Sequence, residues 1–204
     1  MRMTESADVV IVGGGAMGAS VAYHLAQKGV TDVVLLEKET LASGSTSKSA
    51  GGIRAQFADE LNVRMALRSM AEFQALERVS GIEYKRHGYL FMLTNEVDVE
   101  SFQSAIELQS RLGVPSRLIS PDDVKAMIPA LETSDLLAAA YCPIDGHASP
   151  ESVVQAYAGV ATTQGVTILQ GTSLERIAVL GREVHPARFA AHGNVQPGQV
   201  ADVP

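Results

Sequence analysis

The segment Val9-Val10-Ile11-Val12-Gly13-Gly14-Gly15-Ala16-Met17-Gly18 restricts this chain more than any other stretch of it. An unbroken β-branched run leads into clustered glycines, which reads as a buried strand, a tight turn and the start of a helix. Each glycine answers a geometric demand. Gly13 allows the turn, Gly15 lets the backbone approach a pyrophosphate, and Gly18 lets the helix pack closely on the strand. A second apolar run, Val33-Val34-Leu35-Leu36, ends in Glu37, whose carboxylate is placed to accept hydrogen bonds from ribose hydroxyls. Glycines at this spacing also arise by chance in loops. The strand before, the helix with Val21, Ala22, Leu25 and Ala26 after, and the acid at the end of the next strand together raise the segment to a dinucleotide-binding fingerprint.

Composition narrows the remaining classes. The 204 residues are 46% hydrophobic and 19% charged, enough for one large or two small domains with a packed core. A net charge of −7 leaves no basic stripe for phosphate neutralisation, so no nucleic-acid partner is expected. Residues 1–8 are short and polar, and no long apolar run follows. Neither a signal peptide nor a membrane span is expected. Cys142 is the single cysteine, which rules out an internal disulfide, fits a reducing compartment and leads to a cytoplasmic expectation. The five histidines show no metal-ligand spacing, so no metal is expected.

Periodicity organises the rest. Residues 8–40 predict a β-α-β unit, followed by a small-residue loop over 41–52 that a ligand would order. Val63, Leu67, Met70, Phe73 and Leu76 recur at helical spacing and predict a helix over 59–79, closed by Gly81. Residues 84–93 predict a strand pair with 89–93 as its apolar part, 97–112 a helix ended by Gly113 and Pro115, and 136–141 a strand. Ser120-Pro121-Asp122-Asp123 and Ser149-Pro150-Glu151 are cap-and-proline starts of two further helices, the second running to 163 and leading into a strand at 166–169. The final twenty residues, with Pro186, Pro197 and Pro204, read as looser than the rest.

Two further segments carry a resemblance. Gly44-Ser45-Thr46-Ser47-Lys48-Ser49-Ala50-Gly51-Gly52-Ile53-Arg54-Ala55-Gln56-Phe57 and Asp145-Gly146-His147-Ala148-Ser149-Pro150 are similar to FAD-dependent oxidoreductases of the D-amino-acid oxidase type. Within that type the likeness is to sarcosine oxidase beta subunits, glycine oxidases, dimethylglycine dehydrogenases and proline dehydrogenase beta subunits. It runs from residue 8 to about residue 200. The resemblance implies an α/β fold in which a Rossmann-like FAD-binding domain carries an inserted mixed α+β substrate-domain segment. It divides the chain into a first part of the FAD-binding domain at 1–83, a partial substrate domain at 84–142 and a return to the FAD-binding domain at 143–204. Complete family members are much longer, so the fold is expected to be cut short here.

By the same resemblance FAD is the cofactor, held by Gly13, Gly15, Ala16, Met17, Gly18, Glu37 and Lys38 on the adenosine side and by Ser43, Thr46, Ser47, Gly51 and Gly52 along the loop. Val166 corresponds to a strand residue whose backbone lies against the adenine. Arg54 corresponds to an arginine beside the flavin ring, where a fixed cation stabilises the charge that reduction places there. Lys48 stands at the position of the histidine that carries flavin covalently in dimethylglycine dehydrogenase-like members, so the FAD is expected to be non-covalent. Asp145 and His147 are read as a polar turn that positions the following helix, without a chemical role.

The activity implied is oxidation of the C–N bond of a small secondary amine or amino acid, of the sarcosine, glycine, proline or dimethylglycine type, by hydride transfer to flavin N5. Other subunits of a hetero-oligomeric dehydrogenase are the implied protein partners. Two other readings stay open: a catalytically inert fragment or interaction module, and an NAD-dependent dehydrogenase, which the glycine motif alone permits.

Overall fold

The structure is a computed structural model and describes residues 6–180 and 183–191. The chain falls into two compact units. One comprises residues 1–49 with 150–204, and the other residues 50–149.

The first unit is built on the strand-turn-helix of the glycine segment. Strand β1 (Val9–Val12), helix α1 (Ala16–Gln27) and strand β2 (Val33–Glu37) follow in order, and the chain returns as helix α5 (Pro150–Thr163) and strand β9 (Thr167–Gln170). The three strands form a parallel sheet in the order β1-β2-β9, with Val9 opposite Val33 and Glu37 opposite Gln170. Central strand β2 is buried at every position, the expected pattern for an apolar run inside a parallel sheet. Helices α1 and α5 pack on each other, and both present small residues: Ala19, Ala22 and Ala26 from one, Ala158 and Ala161 from the other. Small side chains let two helices and a sheet approach closely. This is why Ala22 and Ala26 join Val33, Leu35, Ala161 and Val166 in one core, while Val21, expected on the buried face, is 44% exposed.

Strands β10 (Thr172–Leu180) and β11 (Glu183–Ala191) complete the first unit as an antiparallel hairpin. The sequence signals no strand at β11 and marks 185–191 as loose. The hairpin corrects this, because Pro186 lies on a strand paired on one side only, where a missing N–H is tolerated. The expectation for 192–204 lies outside the described residues.

The second unit contains β3 (Gly52–Ile53), α2 (Glu60–Ser80), β4 (Tyr84–Lys85), β5 (Tyr89–Leu93), α3 (Glu96–Arg111), β6 (Arg117–Ile119), α4 (Pro121–Met127), β7 (Ala138–Cys142) and β8 (Gly146–Ala148). Its helices begin where their caps dictate. Asp59 accepts from Asn62 N at 2.9 Å, Asn95 accepts from Asp98 N at 2.9 Å, and Ser120 and Asp123 close a reciprocal capping box with Pro121 in the first turn. The strands make two antiparallel sheets, β3-β8-β4 and β5-β7-β6. The strand pair expected over 84–93 is present as β4 and β5, which lie in different sheets and do not pair with each other. The break falls at Gly88, whose φ of +84° turns the chain and whose N–H donates to the Asp145 carbonyl at 2.9 Å.

The units divide at 49/50 and 149/150, whereas the sequence division lies at 83/84 and 142/143. The pairing of β3 with β8 holds residues 52–53 against 146–147, and α2 packs on β4. Short strands and long-range pairings of this kind leave no periodic trace in sequence.

Candidate functional site

The first unit concentrates its chemistry at the carboxyl end of β1 and β2. Gly13 adopts φ +101°, and its N–H donates to the Leu36 carbonyl at 2.8 Å, joining the glycine turn to the neighbouring strand. A Cβ on Gly18 would collide with the Gly13 carbonyl oxygen and press on Ile11, so close packing of α1 on the turn demands glycine there. Gly14, which the sequence fingerprint leaves free, is constrained as well. A Cβ there would meet the Leu41 side chain and come within 3.0 Å of the Glu37 Cβ.

Glu37 closes the turn from the other side. Its Oε2 accepts from Gly14 N at 2.7 Å and its Oε1 from Glu39 N at 2.9 Å, and the side chain is only 9% exposed. Each carboxylate oxygen keeps a further lone pair, so the group that braces the turn also retains acceptor capacity for a ribose hydroxyl.

Gly15 is the N-cap of α1 and carries no side chain to satisfy the first amides of that helix. Instead, Thr46 reaches back from the following loop and its Oγ1 accepts from Ala16 N at 3.1 Å. Ala42 N donates to Gly14 O at 3.0 Å, so residues 42 and 46 hold the turn at two points. Ala42 is fully packed and sits at φ +67°, an unusual conformation for a residue with a Cβ. Ser47 Oγ donates within the loop to Ser43 O and Gly44 O, and Leu41 N donates to Gln170 Oε1 at 2.8 Å. The expected small-residue loop is thus a run of hydrogen-bonded turns over residues 41–48.

Of the residues expected to hold cofactor, Gly13, Gly15, Ala16, Met17, Gly18, Glu37, Lys38, Ser43, Thr46 and Ser47 gather around this turn and the loop behind it. Met17 is 80% exposed beside the glycines. Val166 precedes β9, with its side chain in the core and its N–H donated to Ala161 O at 3.1 Å, which leaves only its carbonyl for a ligand. Gly51, Gly52 and Arg54 belong to the second unit. Gly51 lies at φ +72° and accepts from Ala148 N, and a Cβ there would strike the Ala148 carbonyl. Pairing with β8 therefore accounts for glycine at 51.

In the second unit Arg54 stands between two aromatic rings, its guanidinium carbon 5.2 Å from the centroids of both Phe57 and Phe91. Among the described residues no carboxylate forms an ion pair with it. Phe91 in turn contacts the rings of Tyr89 and Phe102.

Close to Arg54 lies a residue that the sequence reads only as part of a polar turn. Asp145 is completely buried, yet its Oδ1 accepts from Ala55 N at 2.9 Å and its Oδ2 from Gln56 Nε2 at 3.1 Å. Burial pushes its carboxyl above the ordinary value of 3.8, against the pull of the Ala55 and Gln56 hydrogen bonds, the Cys142 thiol and the Arg54 charge. Burial likewise pushes the Cys142 thiol up. The signal that pointed to Asp145 was an aspartate in the turn before β8, indistinguishable in sequence from an ordinary polar turn. Among the described residues no group of acidic, histidine or cysteine side chains is arranged to hold a metal, and no helix is long and apolar enough to cross a membrane.

The family described as FAD dependent oxidoreductase (DAO) matches residues 8–199. The mouse mitochondrial pyruvate dehydrogenase phosphatase regulatory subunit is 37% identical over 181 residues, covering 88% of this chain and 21% of that protein. Human mitochondrial dimethylglycine dehydrogenase is 34% identical over 167 residues, covering 80% of this chain and 19% of its own length. Among solved structures, L-proline dehydrogenase from P. horikoshii superposes with a TM-score of 0.86 at 36% identity, covering 89% of this chain and 48% of that one. Glycine oxidase from Bacillus cereus gives a TM-score of 0.75 at 29% identity, with 88% and 51% covered. The chain thus spans about half of these solved structures and a smaller share of the curated relatives. With the match extending over nearly its whole length, and with the glycine turn, the Glu37 brace and the Rossmann-like sheet in place, this chain belongs to the DAO family of FAD-dependent oxidoreductases.

Proposed function

We propose that this chain holds FAD and serves in oxidation of the C–N bond of a small secondary amine or amino acid. The observation that carries the reading is the open N-terminus of α1. Its N-cap is a glycine, and among the described residues its first amide is met by a hydroxyl and the one group near a Cβ built at Gly15 is that same Thr46 oxygen, at 3.1 Å. A helix start without side-chain bulk fits a pyrophosphate, and Glu37 beside it fits a ribose. FAD, when bound, supplies a hydride acceptor at N5 of its ring.

The residues of the chain do the holding. The amide of Gly15 and the Thr46 hydroxyl, which accepts from Ala16 N and keeps its own proton to donate, would hold the phosphates, and Glu37 would hold the ribose. In the second unit, Arg54 is a cation that no carboxylate among the described residues pairs with directly, suited to negative charge on reduced flavin. Lys48 offers an amine where relatives of the dimethylglycine dehydrogenase type have their flavin-linking histidine, so the FAD is non-covalent in this reading. Substrates of the sarcosine, glycine, proline or dimethylglycine type fit the names of the relatives, and partner subunits would belong to a hetero-oligomeric dehydrogenase. The lone buried cysteine agrees with a cytoplasmic or another reducing location, which fractionation would distinguish.

The test is the visible spectrum of the 204-residue chain after incubation with FAD and removal of free cofactor. Retained flavin bands, with NAD failing to compete, support the reading; a colourless folded protein overturns it for this chain. A second reading, an interaction module without turnover, is favoured by the similarity to a protein named as a regulatory subunit. It predicts that flavin bands, if retained, are not bleached by sarcosine, glycine, proline or dimethylglycine under anaerobic conditions.

A further inference from the structure

The Asp145 carboxylate is an expensive group to bury, and three donors converge on it: the Ala55 amide, the Gln56 amide nitrogen and the Cys142 thiol. A carboxylate accepts at both oxygens, whereas an asparagine offers one, so the donor set calls for an acid. The residues it holds are the two that follow Arg54.

The connections continue to both rings that flank the arginine. Gln56 Nε2 also donates to Tyr89 O at 3.1 Å, at the start of the strand that carries Phe91. The Asp145 main-chain carbonyl accepts from Gly88 N, just before that strand. On the other side, Phe57 N donates to Ala55 O at 2.9 Å, and Gln109, itself buried, donates from Nε2 to Phe57 O at 3.0 Å. One aspartate therefore ties together the backbone that bears the cation and the approach to the strand bearing one of its rings.

We propose that Asp145 is the positioning residue of Arg54, fixing residues 55 and 56 so that the guanidinium is held between Phe57 and Phe91. The role given to Arg54 rests on the reading of the site above, but its placement can be measured without any cofactor. In the cofactor-free 204-residue chain, the NMR signals of the Arg54 Cδ protons, assigned by their loss in Arg54→Lys, are expected upfield of ordinary arginine because two rings flank them. Asp145→Ala is expected to abolish that displacement, and Asp145→Asn, which keeps one acceptor for Ala55 N, to reduce it. A purely structural role would lower the melting temperature and leave the Arg54 signals of the folded protein in place. That result in Asp145→Ala overturns the proposal; where Asp145→Ala does not fold, unchanged signals in Asp145→Asn overturn it. The flavin role of Arg54 fails separately, if Arg54→Gln, which removes the cation, leaves the reduction potential of FAD-loaded protein unchanged.

Discussion

Glu37 and Asp145 do the same mechanical work in the two units of this protein. Glu37 is the last residue of β2 and Asp145 lies between β7 and β8, and each accepts at both oxygens from neighbouring residues. Glu37 takes the amides of Gly14 and Glu39, and Asp145 takes those of Ala55 and the Gln56 side chain. Their settings differ. Glu37 sits at the end of a parallel sheet with a small exposed fraction, and Asp145 is sealed inside the antiparallel unit. The first is thereby able to brace a turn and also meet a ligand, while the second can act only through the residues it holds. Carboxylates tying loops are common to both halves, and access to solvent separates the one proposed to bind from the one proposed to position.

The comparison breaks first at the glycine turn. Gly18→Val should cost about 3 kcal/mol, read by urea unfolding, because its Cβ meets a carbonyl that cannot move without opening the turn. It should also remove FAD retention, and a small cost with full retention would show that α1 can move away from the turn. Next in size, Glu37→Ala should weaken FAD binding by about 2 kcal/mol in a fluorescence titration, as expected for loss of a charge-assisted hydrogen bond. An unchanged affinity would make Glu37 a brace alone, no different in kind from Asp145.

Thr46→Val removes the acceptor for Ala16 N and should cost about 1 kcal/mol of stability, the usual value of a helix cap. The smallest effect sharpens the other side. Because burial raises the Asp145 carboxyl above 3.8, the folded state holds the proton more tightly than the unfolded one. Its contribution is therefore fully present below pH 3.8 and is lost as pH rises through the folded value. Asp145→Asn has no such loss, so the stability difference between variant and wild type should shift in favour of the variant as pH rises from 3.8 through the folded value. Thermal melts across the carboxylate range check the sign.

Much of the site was legible because its demands are local. A strand, a glycine turn and a helix within ten consecutive positions fix their own geometry, and helix starts such as Ser120-Pro121 carry their caps in adjacent residues. The two-residue strand β3 was illegible, since it exists only by pairing with β8. Gly51 reads in sequence as part of a cofactor loop, and its packing against the Ala148 carbonyl explains it in the structure.

By itself the sequence determined the β-α-β start, the acid that follows it, the helices and their ends, and through its motifs the family. Those features depend on backbone sterics and hydrogen bonds between near neighbours. Only the tertiary structure decided that Glu37 grips the glycine turn, that Thr46 caps α1, that Arg54 lies between two rings and that Asp145 is the buried anchor behind it. Each of these joins residues far apart in the chain, and a hydrogen bond across such a distance exists only once the intervening chain has folded to bring donor and acceptor together.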